Sequence, residues 1–150
     1  MMITRRTAML APLAPLALIA CGSAAAATQS IEVMKTPTCG CCGHWVDHLR
    51  GEGFEVTVTD LPDLTPVARS LFVPDDLRSC HTARIGGYAV EGHVPAADIR
   101  RLLAERPDAA GIAAPGMPMG SPGMEQSGVR EPYQVILFTR DGRRSLFAQH

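Results

Sequence analysis

Residues 38–45 read Thr-Cys-Gly-Cys-Cys-Gly-His-Trp, a stretch in which three of four consecutive residues are cysteines. An apolar run, Ile31 to Met34, precedes it, and a segment with helical spacing of apolar residues, His44 to Arg50, follows it. This pattern predicts a strand, a turn and a helix. At the start of a helix, backbone N–H groups and the helix dipole favour the thiolate form of a cysteine. Thiolates attack disulfides and bind soft metals, so the turn is a candidate site.

The cysteine turn allows two main kinds of chemistry. Cys39 and Cys42 form a Cys-x-x-Cys pair, in which one thiolate attacks a disulfide and the other thiol resolves the mixed disulfide. Cys41 is not needed for that mechanism, whereas a Cu(I) site can use it, because soft thiolates select Cu(I). Zinc is a further alternative, with four thiolates or with Cys41, His44 and His48 as ligands.

The beginning of the chain has the composition of an export signal. Two arginines precede an uncharged apolar run, Ala8 to Ala20, that is too short to span a membrane comfortably. Cleavage after Ala27 fits the small residues there, whereas cleavage before Cys21 fits a bacterial lipoprotein signal with a lipidated cysteine. We therefore expect an export signal over residues 1–27 and one domain over residues 28–150. Ordinary secretion and twin-arginine export both stay open.

Composition and charge limit the function further. The chain is 46% hydrophobic and 19% charged, which is typical of a globular protein. The formal net charge of −1 gives no reason to expect nucleic acid as a partner. A disulfide framework is not indicated either, because three of the five cysteines lie in one turn and close no useful loop.

The order of the predicted elements can be read along the rest of the chain. Glu55 to Asp60 alternates like a strand, and Leu64 to Leu71 has apolar residues at helical spacing. Gly86-Gly87 predicts a two-residue hairpin turn, and Pro95 starts a helix that stops before Pro107. The predicted core is β-α-β-α-β-β-α, and a C-terminal hairpin follows around Asp141-Gly142.

Residues 111–128 are rich in Gly, Pro, Ala, Ser and Met. No helix or strand period is visible there, so we expect a long loop, and such loops are often functional. Methionines usually fill gaps in a core, but in a flexible loop they are also candidate soft ligands for Cu(I). Met117 and Met124 are therefore candidate ligands.

Two histidines have neighbours that suggest a metal site. His81 follows Cys80, and His93 comes just before the helix that Pro95 starts. Either ring nitrogen could bind a metal, or each side chain could simply be hydrogen-bonded within the fold.

The element order, with a cysteine turn after the first strand, resembles the thioredoxin and glutaredoxin fold. In that fold a cis-proline just before the hairpin packs against the Cys-x-x-Cys pair. Counting back from Gly86-Gly87 places His81 near that position, with Cys80 beside it. The resemblance implies that a fourth thiol faces the cysteine turn.

Four motifs resemble those of the bacterial CopG-type copper-resistance proteins, a thioredoxin-like family of exported proteins. They occur in the family's order and cover nearly the whole chain after the export signal: Pro37 to Cys42, Ser79 to Ala83, Glu91 to Pro95 and Pro115 to Glu125, with Pro132-Tyr133 after them. The resemblance implies copper binding at the cysteine turn and allows a multinuclear Cu(I) cluster with a redox role. The residues that match as metal ligands are Cys39, Cys41, Cys42, Cys80, Met117, Met124 and His93.

We therefore expect an α/β, thioredoxin-like protein that is periplasmic or otherwise exported and binds Cu(I) in copper homeostasis or resistance. Its expected partners are copper ions and other exported copper-handling proteins, and it would contact a membrane only if Cys21 is lipidated. A thiol-disulfide oxidoreductase that uses Cys39 and Cys42, and a structural zinc module, remain as alternatives. Whether the chain is an enzyme stays open.

Overall fold

The computed structural model describes residues 29–125 and 128–150, so the expected export signal and Cys21 lie outside the described residues. The described part is a mixed α/β structure with seven strands and three α-helices. The strands are β1 (Ser30–Lys35), β2 (Glu55–Asp60), β3 (His81–Ile85), β4 (Tyr88–Gly92), β5 (Gly111–Ala114), β6 (Gln134–Phe138) and β7 (Arg144–Gln149). The helices are α1 (Gly40–Gly51), α2 (Thr65–Ser70) and α3 (Ala96–Glu105), and Asp75–Leu77 forms a short 3₁₀ turn.

All seven strands belong to one sheet with the order β2-β1-β3-β4-β5-β6-β7. β1 pairs with β2 in parallel, and so does β4 with β5, whereas the other neighbours are antiparallel. Each parallel pair is joined through a helix, α1 or α3, because parallel strands need a long crossover connection. The element order from β1 to α3 is the predicted one.

The expected loop over residues 111–128 begins later than predicted, because Gly111–Ala114 forms strand β5. This segment has low intrinsic strand propensity, but it lies between β4 and β6 and pairs with both. Gly111 is required there, since a Cβ atom at this position would lie 2.2 Å from the carbonyl oxygen of Ala89. All four residues of β5 are buried, so tertiary pairing overrides local preference.

Helix α1 begins earlier than the periodicity of His44 to Arg50 indicates. It starts at Gly40 with Cys39 as its N-cap, so Cys41 and Cys42 lie in its first turn. Its buried face consists of Cys42, Trp45, Val46 and Leu49, as the spacing of apolar residues predicts. The start of the helix therefore carries the cysteines while its inner face anchors them to the core.

Two hairpins connect neighbouring strands of the sheet at the positions expected from the sequence. Gly86 and Gly87 both have positive φ, 58° and 91°, and connect Ile85 to Tyr88, which face each other across the strands. This is the backbone conformation that a tight two-residue hairpin turn requires and that glycine adopts at low cost. The C-terminal hairpin pairs β6 with β7 around a five-residue connection that contains Asp141-Gly142.

Trp45 lies at the centre of the main core beneath the cysteine turn. Its side chain is 0% exposed, and its indole Nε1–H donates a hydrogen bond of 2.9 Å to the carbonyl oxygen of Val94. This bond ties α1 to the segment that leads into α3, whose buried residues belong to the same core. Within residues 29–125 and 128–150, no helix is long and apolar enough to cross a membrane.

Candidate metal centre

The pairing of β1 with β3 brings the fourth cysteine to the cysteine turn. Lys35 at the end of β1 lies opposite His81 at the start of β3. Cys80, one residue earlier, therefore lies beside the turn that follows β1, and its sulfur is 4.0 Å from that of Cys41. This confirms that a fourth thiol faces the turn.

The sulfur atoms of four cysteines lie within 4.8 Å of one another and form what we call the cysteine cluster: Cys39, Cys41, Cys42 and Cys80. Cys39 Sγ is 3.6 Å from Cys41 Sγ, and Cys42 Sγ is 3.5 Å from the carbonyl oxygen of Cys80. Cys39 and Cys42 are joined by a disulfide in this structure, and Cys41 and Cys80 are free thiols. In the disulfide state the cluster offers two thiols, and in the reduced state it would offer four.

Burial, and secondarily the neighbouring Cys41 thiol, raise the pKa of Cys80 to about 12. At neutral pH Cys80 is therefore a neutral thiol. A metal ion that binds this sulfur must displace its proton, and the charge of the ion then replaces the missing solvation of the thiolate.

Two buried histidines face Cys80, and we call the three residues the Cys80–histidine pocket: Cys80, His81 and His93. His81 Nδ1 is 3.4 Å from Cys80 Sγ, and His93 Nε2 is 3.5 Å from it. Both histidine side chains are 0% exposed. His93 was expected to be a ligand, and the structure places it beside the cysteine cluster.

The far nitrogen of each ring is hydrogen-bonded to a backbone carbonyl. His81 Nε2 donates to Gly92 O at 2.9 Å, and His93 Nδ1 donates to Pro122 O at 2.8 Å. A carbonyl oxygen accepts only, so each far nitrogen carries the proton. Burial lowers the pKa of His93 and lowers that of His81 to about 3, so both rings are neutral. Their unprotonated nitrogens therefore face Cys80.

His81 was a candidate ligand because it follows Cys80, but it was not among the residues that match the family's metal ligands. Adjacent residues of a strand point to opposite faces, which argues against a shared site for Cys80 and His81. Cys80 precedes β3, so the alternation of side chains along a strand does not constrain it. The side chains of Cys80 and His81 can therefore reach one pocket. The available signal was the adjacency of a cysteine and a histidine next to a predicted hairpin.

Glu91 is a buried carboxyl that holds the chain on both sides of Cys80 and His81. Its Oε1 accepts the Ser79 backbone N–H at 2.6 Å, and its Oε2 accepts the Thr82 hydroxyl at 2.7 Å. Burial raises the pKa of Glu91 to about 7, although both hydrogen bonds act in the opposite direction. Glu91 therefore positions the segment that presents the Cys80 thiol.

The glycine- and methionine-rich loop lies against the start of α1. Gly123 has φ +86°, and a Cβ atom there would lie 2.7 Å from the Trp45 backbone nitrogen and 3.1 Å from the Cys41 carbonyl oxygen. The next residue, Met124, is half-buried, whereas Met117 is 42% exposed. The loop backbone thus adjoins the cysteines, and ligation by the two methionine sulfurs stays a prediction.

The zinc alternative built from Cys41, His44 and His48 is not formed in the described residues. His48 Nε2 accepts a hydrogen bond from the Ala96 backbone nitrogen at 3.3 Å, and His44 is exposed. The close groups of metal-binding donors found in the described part of the chain are the cysteine cluster and the Cys80–histidine pocket. The helical spacing of the three side chains does not bring their donor atoms together.

Comparisons with known proteins agree on one family. Residues 77–124 match the family model described as a protein of unknown function, DUF411. Two solved structures, described as copper resistance protein CopG in form 1 and form 2, each show 47% sequence identity and a TM-score of 0.78. Each match covers 82% of this chain and 98% of the other chain. A search of curated protein sequences gave no significant match.

Proposed function

Because the chain belongs to the CopG-type copper-resistance family, we propose that it binds copper, as Cu(I), at the cysteine cluster. The observation that carries the proposal is the convergence of four sulfur atoms within 4.8 Å, three from the start of α1 and one from the start of β3. Soft thiolates favour Cu(I) over hard cations, and a thiolate can bridge two ions. The cluster therefore supports more than one copper ion.

We further propose that the protein is exported and serves copper homeostasis or resistance. The composition of residues 1–27 supports export, and the family supports a role in copper resistance. A thioredoxin-like relationship is supported by the sheet order β2-β1-β3-β4 and by the Cys39–Cys42 pair at the start of α1. Other exported copper-handling proteins are the partners we would expect.

Anaerobic reconstitution tests the copper site. Reduction of the Cys39–Cys42 disulfide adds two electrons and two protons, and Cu(I) then displaces protons from the thiols. After Cu(I) loading and removal of weakly bound metal, we expect more than one copper per chain by metal analysis. Cys80→Ser should lose much of this copper, because it removes the only cluster sulfur outside the turn.

His44→Ala is the matched control for this experiment, since it changes a metal-binding residue type on α1 outside the cluster. Its copper content should equal that of the unchanged protein. At most one copper per chain in both the unchanged protein and Cys80→Ser would contradict the proposal.

Thiol-disulfide exchange is the second candidate function, and the Cys39–Cys42 disulfide is the observation that favours it. In that mechanism one thiolate of the pair attacks a substrate disulfide and the other completes the exchange. The double variant Cys41→Ser with Cys80→Ser separates the two functions, because it keeps the pair. Full copper-free insulin reduction by this variant, with no copper bound by the unchanged protein, would establish exchange as the function.

A further inference from the structure

The two groups of donor atoms in the structure share one residue. Cys80 belongs both to the cysteine cluster and to the Cys80–histidine pocket, whereas Cys39, Cys41 and Cys42 belong only to the cluster. Disulfide exchange between cysteines does not require two buried imidazoles that point their free nitrogens at a thiol. The histidine side of Cys80 therefore calls for its own chemical explanation.

The spacing of the pocket fits a single metal ion. A tetrahedral ion with sulfur at about 2.3 Å and nitrogen at about 2.0 Å keeps these two donor atoms about 3.5 Å apart. Cys80 Sγ lies 3.4 Å from His81 Nδ1 and 3.5 Å from His93 Nε2. The donors are thus already at the separation that a shared ion would impose.

The surroundings of both rings are those of metal-binding histidines. Such histidines usually donate their second ring N–H to a carbonyl or carboxylate, which fixes the tautomer and the ring orientation. Gly92 O and Pro122 O fill this role for His81 and His93. Gly92 has φ +73°, and a Cβ atom there would lie 2.5 Å from the Ala114 carbonyl oxygen, so its carbonyl is held in place by close packing.

We propose that Cys80, His81 and His93 form a sulfur–nitrogen site for one divalent ion such as Cu²⁺, and that this site persists while Cys39 and Cys42 form their disulfide. Imidazole nitrogens suit copper and zinc in the divalent state, whereas a cluster of thiolates favours Cu(I). Cys80 would join the two sites as a shared ligand. The identity of the ion as copper rests on the proposed function, whereas the donor set rests on the geometry alone.

Cobalt titration of the oxidised protein tests this site, because Co²⁺ is a spectroscopic probe that does not oxidise the free Cys41 thiol. With metal-free protein that keeps the Cys39–Cys42 disulfide, we expect one Co²⁺ per chain and a thiolate-to-cobalt charge-transfer band. His81→Ala and Cys80→Ser should each weaken Co²⁺ binding by about 100-fold or more. Loss of a residue that only hydrogen-bonds a metal ligand already lowers metal affinity by about 10- to 100-fold. His44→Ala should bind as the unchanged protein does.

Nitrogen NMR of the unchanged protein gives a test that does not depend on the folding of a buried-histidine variant. With Zn²⁺ as the diamagnetic ion, the resonances of His81 Nδ1 and His93 Nε2 should shift, and the far nitrogens should keep their protons. Binding through the opposite nitrogens, unchanged Co²⁺ binding in His81→Ala, or no binding by the oxidised protein would each overturn the inference. Cu(I) loading of the reduced protein is measured separately. Failure of the proposed Cu(I) site can therefore be distinguished from failure of the proposed divalent-ion site.

Discussion

The Cys80 side chain has a different chemical neighbour on each side. Cys41 Sγ lies 4.0 Å away, and the free nitrogens of His81 and His93 lie 3.4 Å and 3.5 Å away. A single substitution at this residue therefore affects both the cysteine cluster and the Cys80–histidine pocket. His81→Ala would affect the pocket while leaving all four sulfurs in place, so the pair of variants separates the two sites.

The cysteine turn could be predicted from residue types and spacing, because three cysteines in four positions carry a local signal. The position of the fourth thiol followed only from the resemblance to the thioredoxin fold. Glu91 carried no such signal, since a single carboxylate in a predicted strand is usually exposed. Its role depends on the Ser79 and Thr82 donors that the β3–β4 pairing brings to it. Contacts that arise only from strand pairing cannot be read from one segment.

The loop methionines give a prediction at the level of single side chains. Met117→Leu keeps about the same volume but removes the thioether. If Met117 binds Cu(I), we expect the affinity for Cu(I) to fall about 10-fold or more, because removal of residues that only support a metal ligand already has an effect of this size. Competition with a Cu(I) chelator measures the affinity.

Met119→Leu is the control for this prediction, because it makes the same change in the same loop at a position outside the expected ligand set. An affinity of Met117→Leu equal to that of Met119→Leu would assign the loop a packing or covering role. Met124→Leu can be compared in the same way.

Among the elements, the loop after β5 matters because its backbone reaches both the start of α1 and His93. Gly123 packs on the α1 backbone, and Pro122 O accepts the His93 Nδ1–H. Strand β5 itself was not predicted, because its glycine and alanine residues do not favour a strand by themselves. It forms a strand because it pairs with β4 and β6. The loop therefore starts at the end of a buried strand and returns over the site.

Gly123→Ala and Gly116→Ala form a matched pair for the role of this contact. Both glycines have nearly the same positive φ, +86° and +82°, but a Cβ atom at Gly116 has no atom within 4 Å. Backbone strain should cost each variant about 1 kcal/mol of unfolding free energy. Gly123→Ala should lose about 1–3 kcal/mol more, because its Cβ atom meets the α1 backbone.

Urea unfolding measures this difference, and the rate of metal release measures its effect on the site. We expect faster release from Gly123→Ala than from Gly116→Ala, since displacement of the loop weakens the Pro122–His93 hydrogen bond. Equal stability and equal release rates in the two variants would show that the loop does not support the site.

For the molecule as a whole, the candidate metal-binding residues come from segments that are distant in the sequence. They come from the start of α1, the start of β3 and the segment after β4, which the sheet order brings to one end of the structure. The order of elements up to α3 could be predicted because it follows from local periodicity. The C-terminal hairpin of β6 and β7 was also predicted. Its attachment to the sheet through β5 was not, because that depends on pairing between distant segments.

Removal of copper should lower the stability of the reduced protein. A ligand that binds only the folded chain stabilises it by about 2.7 kcal/mol when its free concentration is 100 times the dissociation constant. For a domain of this size we expect chelation to lower the Tm by about 10 °C under such conditions. Scanning calorimetry under anaerobic conditions measures the change.

The double variant Cys41→Ser with Cys80→Ser is the control for the stability measurement, since it removes half of the cluster thiols without breaking the Cys39–Cys42 pair. Its Tm should change less than that of the unchanged protein when copper is added or removed, because only two of the four cluster thiols remain. Equal Tm values for the loaded and chelated forms of the unchanged protein would contradict copper binding to the folded state.

Trp45 gives the protein a built-in optical reporter. It is the single tryptophan of the chain, and its ring lies 4.3 Å from the His81 ring, centroid to centroid. An ion held by His81 would change the emission of this indole, and a paramagnetic ion such as Cu²⁺ would quench it. Fluorescence of the unlabelled protein can therefore follow occupancy of the pocket in real time, without a dye or a fused tag.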